Sequence, residues 1–290
     1  MKIKYLKDII CPICTNQSDM KIIRIFQDRQ FISCPHCHVD FFYPLLNEQE
    51  ISNIYSKQYY LNWGDIENIR KIKSETFSRY IEKLQHFKNG KNILDVGTAY
   101  GLLLEQAKKK GLEPYGVDIS SYATDIARKN VGTDKIFTGT IKDVPFKENY
   151  FDFITICDVL EHVQSPISTL KKANMLLKKD GCLLLVTPYS KALGAHIQNM
   201  NINKYQLEHV FRFKKETILK MCDITNFDIA YCEQVWKTMN ISYMASLLNA
   251  YSLFPITQIL NLLNKIKFIN KINFKIKLGN IMFILKKKQS

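Results

Sequence analysis

No apolar run in the 290 residues approaches the roughly 20 needed to span a bilayer. The longest candidate, Ile241 to Phe254, is interrupted by Ser and Asn and stopped by Pro255. A membrane-crossing helix is therefore not expected. The opening residues, MKIKYLKDIICPICTNQ, have neither the apolar stretch of about 7 to 15 residues nor the small-residue cleavage site of a secretory signal, so a cytoplasmic protein is expected. One region lacks Asp, Glu and Arg altogether: from Lys237 to Ser290 the only charged residues are nine lysines, which carry nine of the fourteen formal net positive charges. The rest of the chain is only mildly basic, and the abundance of Lys, Ile and Asn reads as compositional bias, so the net charge argues weakly for nucleic acid. The dinucleotide fingerprint GxGxxG is missing too. It would need glycine at 97, 99 and 102, where Ala99 and Leu102 break it, and this disfavours NAD.

What is present is a strand-loop-helix signal at residues 92 to 101, NILDVGTAYG. Ile93-Leu94 runs into Asp95, Gly97 and Gly101 bracket a tight turn with the small Ala99 between them, and Leu102-Leu103-Leu104 follows. Glycines there let the backbone turn sharply and approach a ligand that a larger side chain would block. Asp118 ends the segment Tyr115-Gly116-Val117, roughly 20 residues on, where a second strand of a doubly wound sheet offers a carboxylate to a ribose.

The acid two residues before the first glycine, with small residues at 97, 99 and 101, resembles the DxGxGxG motif of class I S-adenosylmethionine-dependent methyltransferases. Tyr115 to Ser120 resembles that family's ribose motif, Asp143-Val144-Pro145-Phe146 its adenine-contacting segment, Phe151 to His162 its fourth strand and Gly181 to Pro188 its fifth. The resemblance covers roughly residues 70 to 235, with a last strand near 280 to 286. It implies an α/β, Rossmann-like, seven-stranded doubly wound sheet with helices on both faces. It also implies that Gly97, Ala99 and Gly101 form the cofactor loop, that Asp118 and Ile119 meet the ribose, and that Asp143 and Val144 lie beside the adenine. Asp95 is expected to order the loop or meet the methionine ammonium through water. Ala99 departs from the glycine of many relatives, and its methyl is expected to tighten the loop.

The alternation of elements agrees: strands at 92–96, 114–118, 135–138, 151–157 and 181–187 interleave with helices at 102–110, 121–130 and 165–177. Gly111 reads as a helix stop and Ser120 or Ser121 as a start. A helix at 214–222 and strands at 226–235 and 280–286 follow, whereas 237–278 does not fit as sheet and reads as a lysine-rich insertion.

Eight cysteines in a reducing compartment are metal ligands before they are disulfides. Cys11-Pro12-Ile13-Cys14 and Cys34-Pro35-His36-Cys37 form two CxxC knuckles with nineteen residues between them, the spacing of a structural four-cysteine zinc ribbon. Lys21 to Phe26 and Arg29 to Ser33 read as a hairpin turning at Asp28, and so small a unit needs its metal to fold. His36 and His38 are alternative ligands. The expected organisation is a ribbon at 1–43, a linker or lid at 44–69 carrying Tyr55, Tyr59, Tyr60 and Trp63, and a methyltransferase domain at 70–290. The linker's aromatic face reads equally as plain packing.

Methyl transfer from a sulfonium is an in-line displacement, so the protein mainly holds the acceptor close and aligned. Asp158, Glu161 and His162 follow the fourth strand, where open α/β sheets place ligands. An oxygen acceptor needs its proton removed, and His162 and His209 are the candidate bases; the alternatives are a cap or packing role for His162 and a surface loop position for His209. Asp158-x-x-Glu161-His162 also resembles a motif that binds a divalent ion in some relatives. The acceptor is expected to be a hydroxyl of a small metabolite, sugar or glycan, or lipid-linked precursor. The segments Ile241 to Leu253 and Ile256 to Ile266, with lysines after them, read either as an element lying on an anionic membrane face or as a substrate-covering subdomain. The alternatives are an RNA methyltransferase gripping phosphates through the ribbon and basic tail, disfavoured by few ribbon arginines and no NPPY-like segment, and an inactive cofactor-binding scaffold.

Overall fold

The computed structural model describes residues 4–26, 29–61, 66–189, 209–239, 274–277 and 279–288. The expected turn at Asp28, Trp63, Glu208 and most of the lysine-rich insertion lie outside the described residues.

The N-terminal region is a meander of four antiparallel strands: β1 (Tyr5–Ile10), β2 (Gln17–Ile25), β3 (Gln30–Ser33) and β4 (Asp40–Tyr43). The knuckles lie between β1 and β2 and between β3 and β4, and β2 with β3 is the expected hairpin. Two short helices, α1 (Glu48–Ile54) and α2 (Lys57–Leu61), then lead to α3 (Ile66–Phe87). Asn47 starts α1 with a reciprocal box: its side chain accepts from Glu50 N–H, and the Glu50 carboxylate accepts from Asn47 N–H.

The second region alternates as the sequence predicts: β5 (Asn92–Val96), α4 (Leu102–Lys109), β6 (Glu113–Asp118), α5 (Ser121–Val131), β7 (Ile136–Thr138), β8 (Phe151–Cys157), α6 (Pro166–Leu176) and β9 (Leu177–Pro188). After β10 (Phe211–Arg212) come α7 (Lys215–Ile224), β11 (Phe227–Gln234), β12 (Lys237–Met239), β13 (Phe274–Ile276) and β14 (Asn280–Lys287). The large sheet has seven strands in the order β11-β14-β9-β8-β5-β6-β7, parallel except for β14, which runs antiparallel to both of its neighbours.

Burial on both faces explains the near-continuous apolar strands. Along β9, Leu183 and Leu185 join the core beneath α6 and α7, while Cys182, Leu184 and Val186 join the core beneath α3, α4 and α5. The first core runs without interruption into the ribbon, through Cys11, Ile13, Met20, Ile32, Phe41, Phe211 and Phe213. Each large side chain so buried contributes about 1.5–3 kcal/mol, so ribbon and sheet stabilise one another.

Two features depart from the sequence reading. Residues 237–278 do contribute sheet: β12 and β13 pair antiparallel, Thr238 opposite Lys275, so strands far apart in sequence complete each other's main-chain hydrogen bonds. The ribbon sheet also gains a fifth strand from far along the chain, since β10 pairs with β4. A strand of two residues carries no periodicity to read.

Candidate active site

From β5 the chain winds to β6 and β7 on one side and returns to β8 on the other. The switch point of the parallel sheet therefore falls between the ends of β5 and β8, where open α/β sheets bind ligands. Gly97 takes φ +72° and Gly101 φ +76°. A Cβ at 97 would sit 2.3 Å from Val159 Cγ2, in the loop after β8, and one at 101 would sit 2.7 Å from Val131 Cγ2. Both positions require glycine twice over, by conformation and by space. Ala99 also takes a left-handed conformation, φ +48°, which an alanine adopts at a cost. Its N–H donates to Asp118 Oδ2 at 2.8 Å, fixing the loop to the end of β6.

Asp118 is buried, which pushes its carboxyl up from the usual range. Oδ1 accepts from Ser120 N–H at 3.0 Å and from the Tyr60 hydroxyl at 3.0 Å. Tyr60, in α2, is itself buried, and the Tyr100 hydroxyl donates to its carbonyl at 3.0 Å. The linker thus reaches the Asp118 carboxylate directly, through a tyrosine that its aromatic face left open between a lid and plain packing. Ile119 is half-buried against the core. Asp95 is fully enclosed and accepts from Thr155 Oγ1 at 2.6 Å; burial pushes its carboxyl up to about 7.

Asp143 lies on the surface, where Oδ2 accepts from both the N–H and the hydroxyl of Thr140 at 2.7 Å. These bonds hold its carboxyl below the usual range. The neighbouring Val144 is buried in the core.

Asp158, at φ +55°, accepts from Asn280 Nδ2 at the start of β14. Glu161, His162 and His209 form a separate group, each offering a donor atom within 4.8 Å of the others. The imidazoles of His162 and His209 meet edge to face with centroids 4.5 Å apart, and Tyr55 packs on His162 at 5.9 Å. The buried Glu161 accepts from Thr187 Oγ1 at 3.1 Å and lies 3.8 Å from His162 Nε2. Sequence reasoning named both histidines; the structure adds that they touch, with Glu161 beside them.

The four knuckle cysteines converge in the ribbon, all buried, with their sulfurs within 4.8 Å of one another. Cys11 and Cys37 sulfurs are 3.6 Å apart, and those of Cys14 and Cys34 are 3.7 Å apart. Four thiolates about 2.3 Å from a tetrahedral ion would stand about 3.8 Å from each other, whereas a disulfide needs about 2.05 Å. The two knuckles repeat each other. Thr15 (φ +59°) donates its N–H to Cys11 O at 3.0 Å, and His38 (φ +61°) does the same to Cys34 O at 3.1 Å. Burial pushes the Cys14 thiol up to about 11, while a hydrogen bond with Cys37 draws Cys11 down to about 5. The donor set and spacing fit zinc.

Strand order and the glycine loop after the first parallel strand are those of a class I S-adenosylmethionine-dependent methyltransferase. Residues 68–231 match the family model described as a methyltransferase domain, and the chain belongs to that family. It is 31% identical over 166 residues to a ubiquinone biosynthesis O-methyltransferase of Actinobacillus pleuropneumoniae serotype 7, an alignment covering 51% of this chain and 70% of that protein. With the mitochondrial ubiquinone biosynthesis O-methyltransferase of Schizosaccharomyces pombe, it shares 28% identity over 151 residues, or 48% of this chain and 53% of that protein. The crystal structure of a SAM-dependent methyltransferase from Archaeoglobus fulgidus superposes with a TM-score of 0.52 at 20% identity, covering 75% of this chain and 94% of that one. The YcgJ protein of Bacillus subtilis gives 0.53 at 18%, covering 74% and 99%. These two show the shared fold.

Proposed function

We propose that the protein methylates a hydroxyl oxygen of a small metabolite, a sugar or a lipid-linked precursor, with His162 and His209 on the acceptor side. The observation that carries this reading is the imidazole pair 4.5 Å apart in the loops that follow β8 and precede β10. Relatives named O-methyltransferases support oxygen as the acceptor atom. Gly97, Ala99 and Gly101 would cradle the cofactor, Asp118 and Ile119 would hold its ribose, Asp143 and Val144 would flank its adenine, and Asp95 and Asp158 would order the methionine end. Bound S-adenosylmethionine would supply a methyl carried on a positively charged sulfonium sulfur, which becomes a neutral thioether when the methyl leaves. As the acceptor oxygen is methylated, one imidazole would take the hydroxyl proton, and the carboxylate of Glu161 would offset the positive charge the ring gains. The proton then passes to water, leaving a methyl ether and S-adenosylhomocysteine. Zinc on Cys11, Cys14, Cys34 and Cys37 would be structural, since four thiolates close the shell.

The test is transfer of labelled methyl to a panel of phenols, sugars and polyprenylated phenols, with bulk RNA as the competing acceptor. Positioned proton transfer is worth about 10²–10⁴-fold, so His162→Ala is expected to lower kcat by that factor while S-adenosylhomocysteine still binds. RNA methylation in place of small acceptors would overturn the reading. A second reading has a specific basis, because the donor atoms of Glu161, His162 and His209 also suit a divalent cation that would hold a deprotonated hydroxyl. Turnover lost in EDTA and recovered on adding magnesium selects it; turnover that magnesium neither raises nor restores selects the base.

A further inference from the structure

The main-chain bonds of the segment from His209 to Phe213 show what holds it. Val210 C=O accepts from Phe42 N–H of the ribbon at 3.1 Å, and Phe211 N–H donates to Glu161 C=O at 3.0 Å. The segment is therefore pinned between the edge strand of the ribbon and the loop that carries His162. Side chains follow the same route. Phe41 stacks on Phe211 at 6.2 Å, Arg212 lies 5.0 Å over the Phe31 ring, and Lys214 Nζ meets Asp40 Oδ1 at 3.3 Å. Thr217 Oγ1 of α7 donates to the Cys37 carbonyl at 2.9 Å, tying the helix after this segment to the second knuckle. That knuckle sets the start of β4, since Cys34 N–H donates to Val39 C=O at 2.9 Å.

A four-stranded unit of this size holds too small a core to order itself without its metal. Its fourth strand is also the template on which β10 forms, two residues after His209. We infer that the four-cysteine ribbon is a positioning element of the acceptor site: β4 seats β10 and so sets His209 against His162, which makes metal loading of the ribbon govern transfer to the acceptor and leave cofactor binding largely alone. The link to turnover rests on the acceptor-site assignment proposed above; the link from ribbon to His209 does not.

The experiment uses the full-length chain, zinc-loaded, stripped with a chelator under reducing conditions, and reloaded with zinc. Four quantities are read: zinc content, S-adenosylhomocysteine affinity by calorimetry, kcat/KM for the acceptor, and the ring-proton resonances of histidine-labelled protein. Edge-to-face rings 4.5 Å apart shift each other's protons, so the resonances report the His162–His209 contact itself. Stripping is expected to leave affinity within about threefold, to lower kcat/KM at least tenfold, and to abolish the mutual ring-current shift, all restored by zinc. Unchanged resonances and turnover after stripping would overturn the inference, and so would an equal fall in affinity and turnover. If the stripped chain unfolds, the double variant Arg212→Ala, Lys214→Ala decides, because it loosens the seam with zinc in place. Displaced His209 resonances and reduced kcat/KM with unchanged affinity support the inference, and wild-type behaviour overturns it. If His209→Ala turns over like wild type, the acceptor assignment fails by itself, while the resonances still decide whether the ribbon seats His209.

Discussion

Replacing Gly97 by alanine tests the cofactor loop most directly, because the structure separates the cost into two parts. The first is conformational: at φ +72° an L-residue is disfavoured by about 1–2 kcal/mol. The second is steric. The new Cβ would lie 2.3, 3.3 and 3.4 Å from Cγ2, Cγ1 and Cβ of Val159, well inside an ordinary contact of about 3.5–4.0 Å. Overpacking of this kind costs about 1–3 kcal/mol, so Gly97→Ala is expected to destabilise by about 2–5 kcal/mol in total. All three close neighbours belong to one side chain, so Val159→Ala should relieve the steric part and leave the conformational part. A double-mutant cycle by urea unfolding is then expected to show a favourable coupling of about 1–3 kcal/mol. Calorimetry with S-adenosylhomocysteine, run on the same four proteins, should show the affinity loss of Gly97→Ala partly recovered in the double variant. A single variant within about 0.5 kcal/mol of wild type would refute the loop geometry; strict additivity would place the collision somewhere other than Val159.

Cys11→Ser with Cys14→Ser is expected to abolish bound zinc, measured by atomic absorption, and to strip hydrogen-exchange protection from β1 to β3 first; retained metal would sink the ribbon assignment. Tyr60→Phe removes a donor from Asp118 Oδ1 that, on the proposed assignment, a ribose hydroxyl would have to displace. S-adenosylhomocysteine is therefore expected to bind about 3- to 10-fold tighter, in line with about 1 kcal/mol for a net hydrogen bond, and weaker binding would make Tyr60 part of the ribose site. Asp95 has its pKa raised by burial from 3.8 to about 7, so between those values the folded chain holds a proton that the unfolded chain has released. Stability should accordingly fall as pH rises from about 4 to about 7, with a slope of up to about 1.4 kcal/mol per unit from this group. Asp95→Asn should flatten that part of the profile in urea titrations, and an unaltered slope would show that Asp95 does not titrate in this window.

The alternating half of the fold was legible because its signals are local. Gly111 does end a helix and Ser120 does precede one, with α4 stopping at Lys109 and α5 starting at Ser121. Apolar runs in β8 and β9 need no knowledge of their neighbours to read as buried strands. The two-strand unit of β12 and β13 was not legible, since its halves lie more than thirty residues apart and each has only three residues. β10 escaped for the same reason: with two residues, its existence depends on the edge that β4 presents.

The same distinction divides the site. The proposed cofactor half is built mainly on one turn, Asp95 to Gly101, and one strand end, Asp118, each readable from contiguous residues. The proposed acceptor half is assembled from Tyr55 between α1 and α2, the loop after β8, the segment before β10 and the ribbon behind it. No window of sequence contains His162 and His209 together, and their contact exists because Phe211 N–H reaches Glu161 while Val210 C=O reaches Phe42. A substitution at Asp40 or Arg212 lies outside every motif the sequence offers, yet acts on the seam that seats His209. Acceptor preference in this chain should therefore respond to changes in ribbon residues that touch neither cofactor nor acceptor, and variation confined to the 95–118 region should alter cofactor affinity while leaving acceptor preference in place.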